Sequence, residues 1–325
     1  MSDLTSTPRG ADPAGGTRTG RWIPFAGLLV LFWGGWGAFS GAPTSLYGYP
    51  NEMIYILWAF TMLIPAFFAM RGHRLDRRPV ATFYGLLVGL TGAGGQLVLF
   101  KALTIGPAYL IFPLISISPA ITVLMAVAIL RERIRGLATI GVVAALLSVV
   151  LFSVSGDSAN IATGPWLILA LVVMVAWGVQ AYYMKKASVV GVNDATTFFW
   201  MTVSGLALVP VAFLMMGQFP SGAPWQAPVL TLGTQLLNAV GALFLVMALS
   251  RGKATIVAPI TNALAPALTI ILSLAVYQTL PSVFAFIGIV LAIGGSTLMV
   301  YADESDAEHP DAPPAPHPAE TDRSR

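Results

Sequence analysis

Apolar residues in this chain come in blocks of roughly twenty, and nearly all the charge is collected in the short connectors between them. A helix rises 1.5 Å per residue, so a block of about twenty residues matches the hydrocarbon core of a bilayer. The pattern predicts ten spans, near 22–42, 52–70, 80–101, 107–130, 137–155, 164–184, 195–216, 227–249, 254–277 and 281–301. The ends look different. Residues 1–21 are rich in Gly, Thr, Pro and Ala, and residues 302–325 are rich in Asp, Glu, Pro and His; both read as disordered tails. The first block and its polar lead are too long for a cleaved signal, so a retained first span is expected.

The fourth block, ALTIGPAYLIFPLISISPAITVLMAVAIL (102–130), organises the rest. It holds Pro113 and Pro119 with Ser116 between them, and an interior proline removes a backbone donor and crowds the carbonyl one turn back. Kinks are therefore expected at both. The layout recurs in ALSRGKATIVAPITNALAPALTIIL (248–272). Ala102, Leu103, Gly106 and Pro113 map onto Ala248, Leu249, Gly252 and Pro259 at an offset of 146. Pro119 and Gly141 map onto Pro266 and Gly288 at 147, and Ser116 falls opposite Asn262. Trp33-Gly34 matches Trp177-Gly178 at 144, and Asn51, Glu52 and Trp58 match Asn193, Asp194 and Trp200 at 142. The chain thus divides into repeats over 22–156 and 157–301. With five spans each, the second repeat must enter the membrane from the opposite side. Inverted repeats place a solute site near the midplane, at their interface. Spans 1, 3, 4, 6, 8 and 9 are expected to line it.

Composition agrees. Hydrophobic residues make up 56% of the chain and charged residues 10%, where a soluble domain carries about a quarter charged. With a cytoplasmic N-terminus, every Lys and Arg of the 17 except Lys101 falls on the cytoplasmic side, as the positive-inside rule requires. Miscounting one span would destroy that asymmetry. Both termini are therefore expected in the cytoplasm. The net charge of +3 is explained by these loops and calls for no nucleic-acid partner. There are no cysteines, and the three histidines lie in loops or tails, so disulfides, thiolate chemistry and a buried histidine base are excluded.

Ionisable residues within spans are functional candidates by default. Here they reduce to Glu52, at the start of span 2, and Lys101, at the end of span 3. Glu52 reads as a cation or proton site, or as a carboxylate favouring a helix N-terminus. Lys101 reads as an anion-attracting cation, or as a side chain snorkelling to the interface. Glu132 reads as a clasp to a neighbouring arginine. Uncharged polar groups are better placed: Gln96, Ser116, Gln180, Asn238, Thr261 and Asn262 lie inside apolar runs, where a polar group needs a partner, either solute or another helix. Pro259 and Pro266 repeat the kinks of the fourth span. Trp33 and Trp177, near mid-span beside glycine, are candidates for stacking on a solute, together with Trp36, Trp58 and Trp200. Trp22, Trp166 and Trp225, at span ends, are expected as interfacial anchors. The glycines of GLLVGLTGAGG (85–95) lack a Lys-Ser/Thr ending and read as close-packing positions.

Two five-span halves, a Trp-Gly pair in the first span of each, a proline-bearing fourth span and Glu132 in LRERIRG (130–136) resemble the EamA-type proteins of the drug/metabolite transporter superfamily. The resemblance covers about residues 22–301. It implies an all-α membrane fold of ten helices in two inverted five-helix repeats. It also implies transport of a small organic solute such as an amino acid, metabolite or drug-like compound, by export or exchange. The second half departs from the pattern, with Gln278-Thr279-Leu280 where the first has Arg131-Glu132-Arg133. The expected partners are a small-molecule substrate and the inner-membrane bilayer, with a homodimer as an allowed assembly. No cofactor, metal or enzymatic activity is expected. The alternatives are a sugar or polyol uptake carrier and a non-transporting scaffold or sensor.

Overall fold

The structure, a computed structural model, describes residues 20–105, 111, 115, 117–132, 134, 136–154, 165–220, 222–277 and 282–308. Every regular element among them is helical. In chain order these are α1 (Ile23–Phe39), α2 (Ala42–Tyr47), α3 (Asn51–Thr61), α4 (Leu63–Met70), α5 (Pro79–Ile105), α6 (Ser118–Ile129) and α7 (Gly136–Val154). They continue with α8 (Pro165–Val189), α9 (Asp194–Ala207), α10 (Val209–Met216), α11 (Gln226–Arg251), α12 (Ala254–Tyr277) and α13 (Val283–Glu308). Seven helical segments among the described residues are long and apolar enough to cross a membrane: 23–47, 51–70, 79–105, 165–189, 194–216, 226–251 and 254–272. Shorter apolar helices cover 118–129, 136–148 and 286–302. The last helix continues past residue 301 to Glu308.

Ser116 and Pro113 lie outside the described residues. Pro119 corrects an expectation. It stands in the first turn of α6 rather than in a helix interior. There its missing N–H has no partner to lose and its fixed φ suits helix entry. Pro259 and Pro266 do lie inside α12.

The halves are interleaved. Helix α1 packs between α11 and α12, and α8 packs between α5 and α6; α7 pairs with α13, and α9 lies on α5. Four sets of equivalent contacts tie the halves together. Trp33 Nε1 donates to the Asn238 carbonyl at 3.2 Å, and Trp177 Nε1 donates to the Gly92 carbonyl at 3.4 Å. Thr269 Oγ1 donates to the Gly34 carbonyl at 3.1 Å, and Thr122 Oγ1 donates to the Gly178 carbonyl at 3.0 Å. Gly241 seats Trp33 and Gly95 seats Trp177; Gly34 seats Leu268 and Gly178 seats Ile121. Each pair is related by the sequence offsets of 144 to 147. Glycine is needed at these crossings because the partner ring or branched chain occupies the place of a Cβ. Bonds of this type between membrane helices contribute about 0.6 kcal/mol each, so the set fixes register more than it adds stability.

One end of the bundle collects the charged connectors. Arg78 pairs with Asp76 at 2.6 Å and donates to the Gly191 carbonyl at 2.9 Å, tying the connector after α4 to the one after α8. The Asp76 amide donates to Thr196 Oγ1 at 2.9 Å. Arg251 pairs with Asp194 and lies over the Phe25 ring, 4.5 Å from its centroid. Lys185 Nζ donates to the Gly252 carbonyl at 2.6 Å. Glu132 acts as a clasp on a helix: its carboxylate accepts from the amides of Ala254 and Thr255 at 3.1 and 3.0 Å and from Thr255 Oγ1 at 2.9 Å. It caps the positive end of α12, where orphan amides favour an anion. Trp22 and Trp166 are not interfacial anchors, being 3% and 6% exposed; Trp22 is packed against Gly252. Trp225, 71% exposed, lies free of the protein core as expected.

Candidate functional site

Between the halves lies a cavity of about 800 Å³. It reaches the surface beside α2, where the exposed Thr44 and Ser45 line it, and ends in depth near Ala258, one turn inside α12. None of Asp76, Arg78, Glu132, Lys185, Asp194 and Arg251 lines it. The cavity thus opens toward α2, and these charged groups stand apart from its described lining.

Of the residues singled out in the sequence, Trp33, Gln96, Trp177, Gln180, Asn238, Thr261, Asn262, Pro119 and Pro266 line this one cavity. Their chemistry differs. The indole N–H groups of Trp33 and Trp177 are already bonded to backbone carbonyls across the halves, so these rings have apolar surface and no free donor to offer the cavity. Thr261 Oγ1 donates to the Val257 and Ala258 carbonyls, at 2.9 and 3.3 Å, and is occupied within its own helix. Asn262 Nδ2 donates to the Ala258 carbonyl at 3.0 Å. Pro266 cannot bond back to the Asn262 carbonyl, which leaves that oxygen without its usual helical partner beside the cavity. Gln180 packs against Gly92, where a Cβ would displace its amide.

Pro259, Glu52 and Lys101 are not part of the lining. Glu52 is buried in the first turn of α3, and Lys101 is exposed on α5. No described lining residue is charged. The stretch 106–116, which includes Ser116, likewise contains no Asp, Glu, Lys, Arg or His.

Trp36 and Trp58, also named as stacking candidates, line the cavity as well, but helices α3 and α9 were not among the spans expected to contribute. Helix α3 supplies Asn51, Ile54 and Trp58, and α9 supplies Met201. Gln235 of α11 was also missed. It sits in an apolar run like the other amides, and that signal was available. Four lining side chains carry a buried polar atom with no hydrogen-bond partner: Trp36 Nε1, Trp58 Nε1, Gln96 Nε2 and Gln235 Oε1.

The profile of the EamA-like transporter family matches residues 20–154 and again 164–301. The chain belongs to the EamA-like transporter family. This membership fits the drug/metabolite transporter superfamily and makes the chain a multi-pass membrane protein of a transporter family. No curated protein matches it. A structure described only as "Crystal structure of protein" is similar in fold, with a TM-score of 0.71 and 17% identity over 88% of this chain and 99% of the other. At that identity the likeness speaks for the EamA-like fold alone.

Proposed function

We propose that this EamA-like protein is a secondary carrier that moves a small organic solute through the central cavity by alternating access, in export or exchange. The observation that carries the reading is the cavity itself: it lies between two interleaved halves, reaches the surface beside α2, and has none of the charged connector residues in its described lining. The contacts among those connectors, such as Arg78–Asp76 and Arg251–Asp194, are polar and local and can be remade at little cost when the halves rock. Three shorter apolar helices added to the seven long segments support ten spans in two inverted five-helix repeats, over 22–156 and 157–301. The clustering of the 71–78, 185–191 and 251–255 connectors at one end supports an inner-membrane orientation with both termini cytoplasmic. Trp33, Gln96, Trp177, Gln180, Asn238 and Asn262 form the solute-facing wall, with Thr261 on the same path. No membrane-embedded charge lines the described cavity, which favours facilitated exchange over proton coupling through a carboxylate.

Flux into proteoliposomes from a panel of neutral, zwitterionic and cationic solutes tests this. Saturable flux of at least one member, abolished by Ala242→Phe at unchanged thermal stability, is the expected result, because Ala242 lines the cavity. No protein-dependent flux across the panel, with a tightly bound partner protein recovered instead, would favour a scaffold.

A further inference from the structure

Three of the lining side chains are nine-tenths or more buried and still hold an unpartnered polar atom: Trp58 (6% exposed), Gln96 (5%) and Gln235 (1%). They come from α3, α5 and α11, and α3 packs against both of the others. An unpaired buried donor or acceptor costs about 1–3 kcal/mol, and a bilayer supplies no water to relieve it. Trp200 Nε1, Ser204 Oγ and Ser296 Oγ are also unpartnered but lie outside the cavity lining, whereas these three side chains share one cavity wall.

The repeat shows that the fold itself does not ask for the two glutamines. At the equivalent positions of the other half, Gln96 is matched by Ala242, and Gln235 by Gly89. Trp58 is matched by Trp200, which is packed against Gly85 and lies outside the cavity lining. The same architecture is therefore built once with two glutamines in the cavity wall and once without them, while the indole N–H is unpartnered in both halves but lines the cavity only at Trp58.

From this asymmetry we infer that Trp58, Gln96 and Gln235 form a hydrogen-bonding subsite for the amide edge of an uncharged, ring-bearing solute. The inference rests on the carrier reading above and names its substrate class. Two orphan donors, from Trp58 and Gln96, and one orphan acceptor, from Gln235, are complementary to a carbonyl beside an N–H. Either glutamine amide can turn over, and the trio still offers both kinds of group. Nearby apolar and aromatic faces, among them Ile54, Phe100 and Trp36, suit a planar ring. A zwitterion, cation or anion would leave water for a lining with no countercharge among the described residues, at a cost of several kcal/mol per ion.

The test uses the purified full-length protein in detergent and isothermal titration with four probes that share a phenyl ring: phenylacetamide, phenylacetate, phenethylamine and phenylalanine. Phenylacetamide is expected to bind at least about tenfold more tightly than any charged probe. Gln235→Leu, Gln96→Leu and Trp58→Phe are each expected to weaken it about five- to tenfold, the worth of one hydrogen bond. Thermal stability of the glutamine variants should stay level or rise, since an orphaned group is removed; a purely structural role would lower it. A charged probe that binds as tightly as the amide would overturn the subsite. So would unchanged affinity in all three variants, or no binding by any probe at millimolar concentration. Flux that Ala242→Phe blocks would leave the carrier reading standing in each of those cases, so the two ideas fail separately.

Discussion

Trp33 reaches across the repeat boundary to donate its indole N–H to the Asn238 carbonyl at 3.2 Å, with its ring seated on Gly241. Trp177 does the same to Gly92, seated on Gly95 with Nε1 2.7 Å from where a Cβ would stand. Gly241→Ala and Gly95→Ala must therefore push an indole out of place. Overpacking of this kind costs about 1–3 kcal/mol, and thermal unfolding in detergent should show it for both variants. Gly94→Ala is the control: nothing lies within 4 Å of its Cβ position. In a helix it should be neutral or stabilising by up to about 1 kcal/mol. Equal behaviour of Gly94→Ala and Gly95→Ala would contradict the seat.

The Glu132 carboxylate holds two amides and a hydroxyl at the start of α12. Glu132→Ala should lower stability by about 1–2 kcal/mol, the range for losing a helix cap together with a dipole-favouring charge. Glu132→Gln keeps one acceptor and should fall between the two. If the conservation of charge at this connector were the only requirement, Glu132→Gln and Glu132→Ala would unfold at the same temperature.

Asp76 supplies the pH dependence. Hydrogen bonds from the Arg78 side chain and backbone, helped by its positive charge, hold the Asp76 carboxyl below its ordinary value of 3.8. A carboxyl lowered in the folded state stabilises the clip fully above the unfolded value and loses that contribution as pH falls through the folded one. The connector between α4 and α5 should thus loosen only below about pH 4. A spin label at His73→Cys should become more mobile on such acidification, and Asp76→Asn should give the mobile spectrum already at neutral pH. Acid-induced mobility that persists unchanged in Asp76→Asn would assign the effect to another group.

Because the chain has no cysteine, single substitutions report topology directly. His73→Cys, on the connector after α4, and Val189→Cys, at the exposed end of α8, flank segments joined through Arg78 and Gly191 and should react with an impermeant maleimide from the same face of sealed vesicles. Leu46→Cys, on the exposed face of α2, should react from the other. Labelling of His73→Cys and Val189→Cys from different faces would refute the two-repeat arrangement.

Much of the helix layout was legible in the sequence, because blocks of apolar residues in a bilayer have one economical backbone solution, the helix. The paired landmarks Trp33 and Trp177 were legible too, since their offset survives in spacing. The cross-half contacts were not. Thr122 and Thr269 occupy equivalent positions, but which backbone each would meet depends on how helices cross, and uniformly apolar helices carry little facial signal. Pro119 looked like an interior proline because the break before α6 leaves no mark in hydropathy. Glu132 sat among arginines in the sequence, and the amides it holds, those of Ala254 and Thr255, lie more than a hundred residues away. Trp22 looked like an anchor from its place at a span end, while Gly252 supplies the hole that buries it. Gln235 was overlooked although it carries the same signal as Gln96.

Helix α1 finds its main neighbours in α11 and α12, made late by the ribosome. The nascent first half therefore waits in the bilayer with the seat for Trp33 not yet translated. Its glycine-lined grooves are open to lipid until the C-terminal half inserts. Severing the gene near residue 160 should yield fragments that are degraded when expressed singly and recovered as a complex when co-expressed.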